Sequence, residues 1–465
     1  MAKNVAVART VKHPNPKEQV KIVDIVELLH KHITESLCEK IFRENRTVER
    51  QRKWSLHALA QFWMGVVLRA PKALTQALDE ARGGNKLWPG VQSSSEAFFE
   101  KCKGFHWGFF ARLYVEFGRR ITAEAPCAYS ACAGHLRKRF SEIWVMDGSQ
   151  LAEVAHRLKI LWKVEGAVLP GRIFVLYDIF RGISRGMVFD TDAAKNENLL
   201  AREGLKAVPA GTLVLGDRLF GVPVYFKTLS EGGQWGLLRR HGNTKVKTKR
   251  RLSRKQGERE YLEDTLVSVG CGAVIPKQTL RLIRYRKGKR FLELFTNVLA
   301  PERLSAVEAV SLYGLRWSVE RMFFDLKAVL NLNRFYAANP NAIAMQVFAS
   351  AIVYNAFRVA QSRIAVKHGI APELISPAKL YPKLAAASDA LAQSEHMWER
   401  TLEANPGVKL NKPDYRKRPF ATTTLGAILA DKRKKIHSVA RRRPLSVWLS
   451  WRKVPGGEKL TAKLS

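Results

Sequence analysis

The stretch that decides the fold is Ile143-Trp144-Val145-Met146-Asp147-Gly148-Ser149. Four apolar residues precede an acid and a glycine, which predicts a buried strand that ends at Asp147. The stretch Leu213-Val214-Leu215-Gly216-Asp217 repeats the pattern and predicts a second buried strand that ends at Asp217. An isolated Asp at the end of a strand is most often a turn residue or a helix cap. Two such acids indicate a catalytic site only if a third acid is expected close to them.

The segments around these strands alternate between strand and helix patterns. Further strands are predicted at 171–179, 183–189 and 235–238, and helices at 196–207 and 222–229. The resulting order of strand, strand, strand, helix, strand, helix, strand is a mixed α/β pattern that resembles an RNase H-like core.

The chain divides into five predicted regions. A helical, DNA-binding region at 1–130 precedes the first part of the α/β core at 137–238 and a β-rich insertion at 239–302. The second part of the core at 303–375 contains a long predicted helix, Ser305–Leu330, and a basic helical region follows at 376–465. Within the insertion, a densely basic run at 245–255 precedes two strands that flank the turn Lys287-Gly288.

The third acid lies on that long helix. At about 100° per residue, Tyr313, Arg316, Glu320 and Lys327 fall in a stripe about 60° wide, beside an apolar face. A surface helix with alternating charges would explain Arg316 and Lys327 equally well. It would not explain why an acid lies in a basic stripe with aromatic neighbours.

The charge of the chain points to a polyanionic partner. Lys and Arg number 79 against 41 Asp and Glu, which gives a net charge of +38. An excess of this size favours contact with phosphate backbones, where basic side chains release counterions. Five cysteines in 465 residues do not indicate a disulfide framework. Because no signal peptide and no apolar run of ~18 residues is evident, a cytoplasmic, nucleoid-associated protein without a membrane partner is expected.

Three carboxylates brought together would repel one another unless cations neutralised them. Oxygen-only ligands suit Mg²⁺ or Mn²⁺. Two such ions, about 3.5–4 Å apart, can stabilise the attacking and leaving oxygens of a phosphodiester displacement. The residues therefore indicate metal-assisted phosphoryl transfer by Asp147, Asp217 and Glu320.

The spacing Tyr313-x2-Arg316-x3-Glu320-x6-Lys327 resembles the Tyr-Arg-Glu-Lys (YREK) signature of bacterial insertion-sequence transposases of the DDE class. The strands that end at Asp147 and Asp217 are similar to the first and second acid motifs of that family, and so is the long gap between Asp217 and Glu320. The resemblance covers roughly residues 137–358.

The resemblance implies a role for each motif residue. Asp147, Asp217 and Glu320 would bind two Mg²⁺ or Mn²⁺ ions. Contacts with DNA phosphates near the transposon end would come from Tyr313, Arg316 and Lys327. Arg218 would be either a DNA contact or a structural ion pair. Family members also hold a base out of the stack with an aromatic residue of the insertion, and the sequence does not choose among Trp235, Tyr285 and Phe291.

The expected function is cut-and-paste transposition by a DDE transposase. Its partners would be double-stranded DNA, as terminal inverted repeats and as target, and a second copy of the chain in a paired-end complex. A metal-dependent nuclease on the same scaffold would keep the acids without needing the basic stripe. A catalytically inactive or regulatory DNA-binding protein would be favoured if an acid were missing, and all three are present.

Overall fold

A computed structural model describes residues 24–45, 53–85, 87–151, 171–192, 195–258, 260–272, 277–337, 339–378 and 380–381, and two short strands. Those strands, β1 (Gln19–Lys21) and β11 (Thr422–Thr424), pair with each other. The chain divides into two compact units, Lys21–Thr422 on one side and residues 1–20 with 423–465 on the other. Most of the predicted basic region at 376–465 lies outside the described residues.

The N-terminal part of the described chain is helical. Its helices are α1 (Asp24–His32), α2 (Glu35–Asn45), α3 (Leu56–Arg69), α4 (Leu74–Gly83), α5 (Ser95–Gly104) and α6 (Gly108–Thr122). Helix α3 begins at Ser55, whose hydroxyl accepts from the Ala58 N–H and so satisfies one of the free donors of the first turn.

A mixed sheet of nine strands forms the centre of the described chain. The strands are β2 (Ile143–Gln150), β3 (Arg172–Asp178), β4 (Ile183–Asp190), β5 (Leu213–Gly216), β6 (Trp235–Arg239), β7 (Lys247–Gln256), β8 (Glu260–Val269), β9 (Gln278–Lys287) and β10 (Arg290–Thr296). Their order is β4-β3-β2-β5-β6-β10-β9-β8-β7. Strands β2, β5 and β6 run parallel, and the other neighbours are antiparallel.

The β-rich segment extends this sheet. Strand β10 pairs antiparallel with β6, and Phe295 lies opposite Leu238. Helices α7 (Glu197–Leu205) and α8 (Pro223–Glu231) contribute to the apolar core that the sheet shares. That core combines residues from β2, β5, β9 and β10, among them Met146, Val214, Leu282 and Phe295. The predicted insertion therefore continues the hydrogen bonding and the core of the strands that precede it.

The predicted long helix is divided into four helical pieces. Helix α9 (Ala306–Tyr313) starts with a capping box between Ser305 and Glu308. A 3₁₀ turn (Gly314–Arg316), helix α10 (Trp317–Phe324) and a π-helical turn (Asp325–Val329) follow without a gap.

Helix α11 (Pro340–Lys367) is long and apolar enough to cross a membrane by length and composition, yet its apolar part is buried in full within the protein. The helix passes this test on its average hydropathy, although scattered polar residues interrupt its apolar run. One of these, Asn355, accepts from the Ser184 N–H and donates to the Ser184 carbonyl of β4. Helix α11 thus packs as a core helix and covers an edge of the sheet.

A buried ion pair ties the far strands to the segment that leads into helix α9. Arg281 of β9 is fully buried, and its guanidinium binds the Asp264 carboxylate of β8. Its Nη1 donates to the carbonyls of Val298 at 3.0 Å and Leu304 at 2.8 Å, directly before α9. The guanidinium therefore satisfies a buried carboxylate and two carbonyls at once.

We expect Arg281→Met to lower the free energy of unfolding by about 3–5 kcal/mol, because it leaves the Asp264 charge buried without its partner. Chemical denaturation monitored by circular dichroism measures this loss. The matched control is Arg286→Met on the exposed part of the same strand, with an expected change within about 0.5 kcal/mol. Equal losses of stability in the two variants would contradict a stabilising role of the buried Arg281–Asp264 pair.

Candidate active site

Asp147 lies inside β2, which corrects the expectation that the strand ends there. Antiparallel pairing with β3 continues past it, from Asp147 opposite Val175 to the end of β2 at Gln150. Parallel pairing with β5 stops one residue earlier, where Met146 lies opposite Gly216. Asp147 is therefore the first residue of β2 without a β5 neighbour, at the edge where β5 itself ends.

Asp217 directly follows β5 and lies at the same edge. It caps the short 3₁₀ turn Arg218–Phe220, and its Oδ1 accepts from the Arg218 N–H at 2.6 Å. The Oδ1 of Asp147 accepts from the Gly148 N–H at 2.9 Å in a similar way. One oxygen of each carboxylate thus accepts from the backbone N–H of the next residue, which orients the side chain.

Arg316 joins two of the three predicted acids. Its Nη1 lies 3.4 Å from Asp147 Oδ2, and its Nη2 donates to Glu320 Oε1 at 2.7 Å. The side chain is only 7% exposed, with its guanidinium over the ring of Trp317. Glu320 lies one helical turn after Arg316, a spacing at which side chains on a helix meet. Since Arg316 also contacts Asp147, its guanidinium links α10 to β2 and lies between the two carboxylates.

The charges in this region act on one another strongly. The pKa of Asp147 is raised to about 7: burial is the largest cause, Arg316 opposes it, and the charges of Glu197 and Glu320 add to it. Burial alone would lower the pKa of Arg316, but Tyr313, Glu320 and Asp217 hold it above its ordinary value. Asp147 is therefore a buried carboxylate whose burial outweighs the stabilising charge of Arg316.

The other predicted DNA contacts take different positions. Tyr313 is buried, and burial raises its pKa above the usual range. Lys327 Nζ donates to Ser149 Oγ of β2 at 3.0 Å. The π-helical turn that contains Lys327 interrupts the regular α-helix after Glu320. Lys327 and Arg316 both reach β2, at Ser149 and at Asp147.

Arg218 is exposed and takes part in no ion pair with the residues for which side chains are described. Its guanidinium lies against the backbone of Gly242, where an added Cβ would come within 2.4 Å of Nη2. A structural ion pair of Arg218 is therefore not observed among the described side chains, and its contact with DNA stays a prediction. Among the three candidate aromatics, Phe291 is 56% exposed, Trp235 is covered by Arg303, and the Tyr285 hydroxyl donates to Glu260.

The sequence did not single out a fourth acid close to this group. Glu197 is the first residue of α7, and its carboxylate lies against Gly148, next to Asp147. Burial raises the pKa of Glu197, and Asp217 adds to that effect while Arg172 opposes it. A first-turn acid is so common in helices that its sequence position carried no signal.

The donor set fits a hard divalent cation in its chemistry. Asp147, Asp217 and Glu320 offer only oxygen ligands, and the charge of each interacts with Arg316. Within the described ranges, no three Asp, Glu, His or Cys side chains converge closely enough to form a metal site as they stand. Arg316 supplies the positive charge between Asp147 and Glu320, so a cation bound by both would compete with its guanidinium.

Comparison with known proteins adds a family match to this geometry. Residues 161–356 match the family described as Transposase DDE domain, a segment that contains Asp217 and Glu320 but begins after Asp147. A protein named as a transposase in Sinorhizobium fredii is 26% identical over 203 residues, 43% of this chain and 55% of its own.

A protein named as the transposase of an insertion sequence element in Synechocystis is 26% identical over 220 residues, 46% of this chain and 58% of its own. The matched region thus spans little more than half of the length of either relative. Among solved structures, a chain of the piggyBac transposase synaptic complex with hairpin DNA aligns over 84% of this chain and 83% of its own, with 12% identity and a TM-score of 0.37. A score this low does not indicate a shared fold.

We expect Asp147→Asn to stabilise the metal-free protein at neutral pH but not in acid. The folded-state pKa of about 7 lies above the ordinary aspartate pKa of 3.8, so the wild type loses stability as pH rises between these values, at about 1.4 kcal/mol per unit. Asparagine cannot ionise and avoids this loss.

Thermal unfolding in EDTA from pH 4 to pH 8 measures the effect. The difference in Tm between Asp147→Asn and wild type should grow with pH. The same exchange at the exposed Asp192 controls for removal of a carboxylate in general. A difference in Tm that stays constant across the range would show that Asp147 is not perturbed in the folded state.

Proposed function

We propose that this protein is a DNA transposase that cleaves transposon ends and joins them to target DNA, with Asp147, Asp217 and Glu320 as its acids. One observation carries the proposal: the parallel pair β2–β5 ends at Met146 and Gly216 with an Asp next along each strand, and Arg316 holds Glu320 at the same edge. The match of residues 161–356 to the Transposase DDE domain supports it.

The proposal includes an RNase H-like core. Three antiparallel strands, β4, β3 and β2, followed by parallel β5 and β6, support it, because this order agrees with the one expected from the sequence. Helices α7 and α8 lie between successive strands, as such a core requires. The YREK signature, Tyr313, Arg316, Glu320 and Lys327, is part of the same proposal and rests on its spacing.

In the proposed mechanism, Asp147, Asp217 and Glu320 would hold two Mg²⁺ or Mn²⁺ ions. When bound, such ions supply charge stabilisation to the attacking and leaving oxygens. The backbone amides of Gly148 and Arg218 orient the two aspartates. Arg316 orients Glu320, and its low exposure favours a role in positioning carboxylates over a direct contact with DNA.

DNA phosphates are the proposed partners of the remaining basic residues. Arg218 offers an exposed guanidinium beside Asp217, and Lys327 lies across from Ser149 on β2. A second basic surface, the β7 surface, is formed by the edge strand Lys247–Gln256, which is exposed along nearly its whole length. Of its cations, Arg251 is paired with Glu263, while Lys247, Arg250 and Lys255 form no ion pair with the described residues.

Two DNA ends must be brought together for cut-and-paste transposition, so the protein would act as a homodimer in a paired-end complex. The substrates would be terminal inverted repeats and target DNA. Such a substrate would place the protein in the bacterial cytoplasm, at the nucleoid.

Strand cleavage tests the catalytic part of this proposal. We expect Asp147→Asn, Asp217→Asn and Glu320→Gln each to reduce cleavage by about 10³-fold or more, because each removes several kcal/mol of charge stabilisation. The substrate is a labelled duplex that carries the inverted repeat flanking the coding sequence, with Mg²⁺ or with EDTA. Binding of the duplex, measured by fluorescence anisotropy, should change little.

Two outcomes would replace the proposal. Salt-sensitive binding without cleavage under any metal would indicate a DNA-binding protein without catalytic activity. Metal-dependent cleavage that does not depend on the sequence of the inverted repeat would indicate a nuclease. If a variant keeps near wild-type cleavage, the acid that it replaces does not belong to the catalytic site.

We expect the triple variant Lys247→Gln, Arg250→Gln, Lys255→Gln to weaken duplex binding and to reduce the slope of log Kd against log salt. Each lost phosphate contact lowers that slope by about 0.9. The matched control neutralises three exposed lysines outside the sheet, Lys53, Lys72 and Lys206. Equal effects in both variants would show that net charge alone is responsible.

A further inference from the structure

The Glu197 side chain points inward, and the stability of helix α7 does not require this direction. An acid in the first turn of α7 would stabilise the helix dipole by about 0.3–1 kcal/mol even when exposed. The Glu197 side chain is instead 19% exposed, and Arg172 lies 3.9 Å away. Asn196 already caps the helix through its side chain, which accepts from the Asn198 N–H. The inward direction of Glu197 therefore needs another reason.

Gly148 provides that reason. It lies in β2, and it is not among the glycines with positive φ, so its backbone conformation does not need glycine. Glycine in the interior of a strand weakens the strand and often marks a close approach. A Cβ at this position would lie 2.5 Å from Cδ and 2.6 Å from Oε1 of Glu197. The missing side chain makes room for the Glu197 carboxylate.

This room lies next to the first proposed metal ligand. Gly148 follows Asp147 directly, and its N–H donates to Asp147 Oδ1. The charge of Glu197 acts on Asp147, and that of Asp217 acts on Glu197. Acids from β2, the end of β5 and the start of α7 thus interact electrostatically at this edge of the sheet, and Glu197 approaches β2 at the residue next to Asp147.

We propose that Glu197 is a fourth carboxylate of the candidate active site and contributes to binding the divalent cation held by Asp147. The inference rests on the proposed function, since it presupposes that Asp147 binds such a cation. Gly148 serves as the residue that admits the Glu197 carboxylate to the site. Neither residue belongs to the three-acid signature.

Cation binding by the metal-free full chain tests this directly. Isothermal titration calorimetry with Mn²⁺ compares wild type with Glu197→Gln, Gly148→Ala and Asp147→Asn. We expect Glu197→Gln to weaken Mn²⁺ binding about 10–100-fold, as loss of a residue around a metal commonly does. Gly148→Ala should have a similar effect, because the methyl group displaces the end of a flexible side chain. The matched control is Glu203→Gln, an exposed acid of the same helix.

The double variant Gly148→Ala, Glu197→Gln separates this role from a structural one. If the glycine acts through Glu197, the double variant should bind Mn²⁺ no more weakly than Glu197→Gln alone. Additive losses would contradict that link. Circular dichroism confirms that each variant is folded.

The outcomes for Asp147→Asn distinguish failure of the inference about Glu197 from failure of the proposed function. If Asp147→Asn loses Mn²⁺ binding and Glu197→Gln keeps it, the inference about Glu197 fails and the proposed function stands. If the wild type binds no Mn²⁺, or binds it as well as Asp147→Asn does, both fail.

Discussion

The parallel pairing of β2 with β5 is the constraint on which the rest of the site depends. Its register, with Met146 opposite Gly216, places the next residue of each chain at one edge of the sheet. Both next residues are acids. Because β3 extends beyond that point and β5 does not, Asp147 is held in a strand while Asp217 begins a turn. The sheet thus holds one carboxylate rigidly and leaves its β5 side open.

Pairing with arginines explains how carboxylates can be buried at the edge of the sheet in a folded protein. Burying a carboxylate is costly unless a partner compensates it. Arg316 compensates Asp147 and Glu320 together, and Arg281 does the same for Asp264 at the far end of the sheet. Arg281 also donates to carbonyls, whereas Arg316 contacts two carboxylates. Two carboxylates around one guanidinium distinguish this edge from the pair that Arg281 forms with Asp264.

The helix with Glu320 illustrates what periodicity predicts and where it fails. The regular spacing correctly places Arg316 one turn before Glu320 and close to it. It does not predict that Arg316 is buried beneath Trp317, since exposure depends on what packs against the helix. Nor does it predict the π-helical turn that contains Lys327. Arg316 and Lys327 both contact β2, far away in sequence.

The sequence by itself determined the strand pattern before each aspartate, the helical spacing around Glu320 and the strongly basic charge, because these depend on neighbouring residues and composition. Only the tertiary structure decided that the β-rich segment continues the sheet, that Asp147 lies within its strand, and that Glu197 reaches the same edge. The physical reason is that strand register and the close approach at Gly148 arise between residues far apart in sequence, where local patterns contain no information.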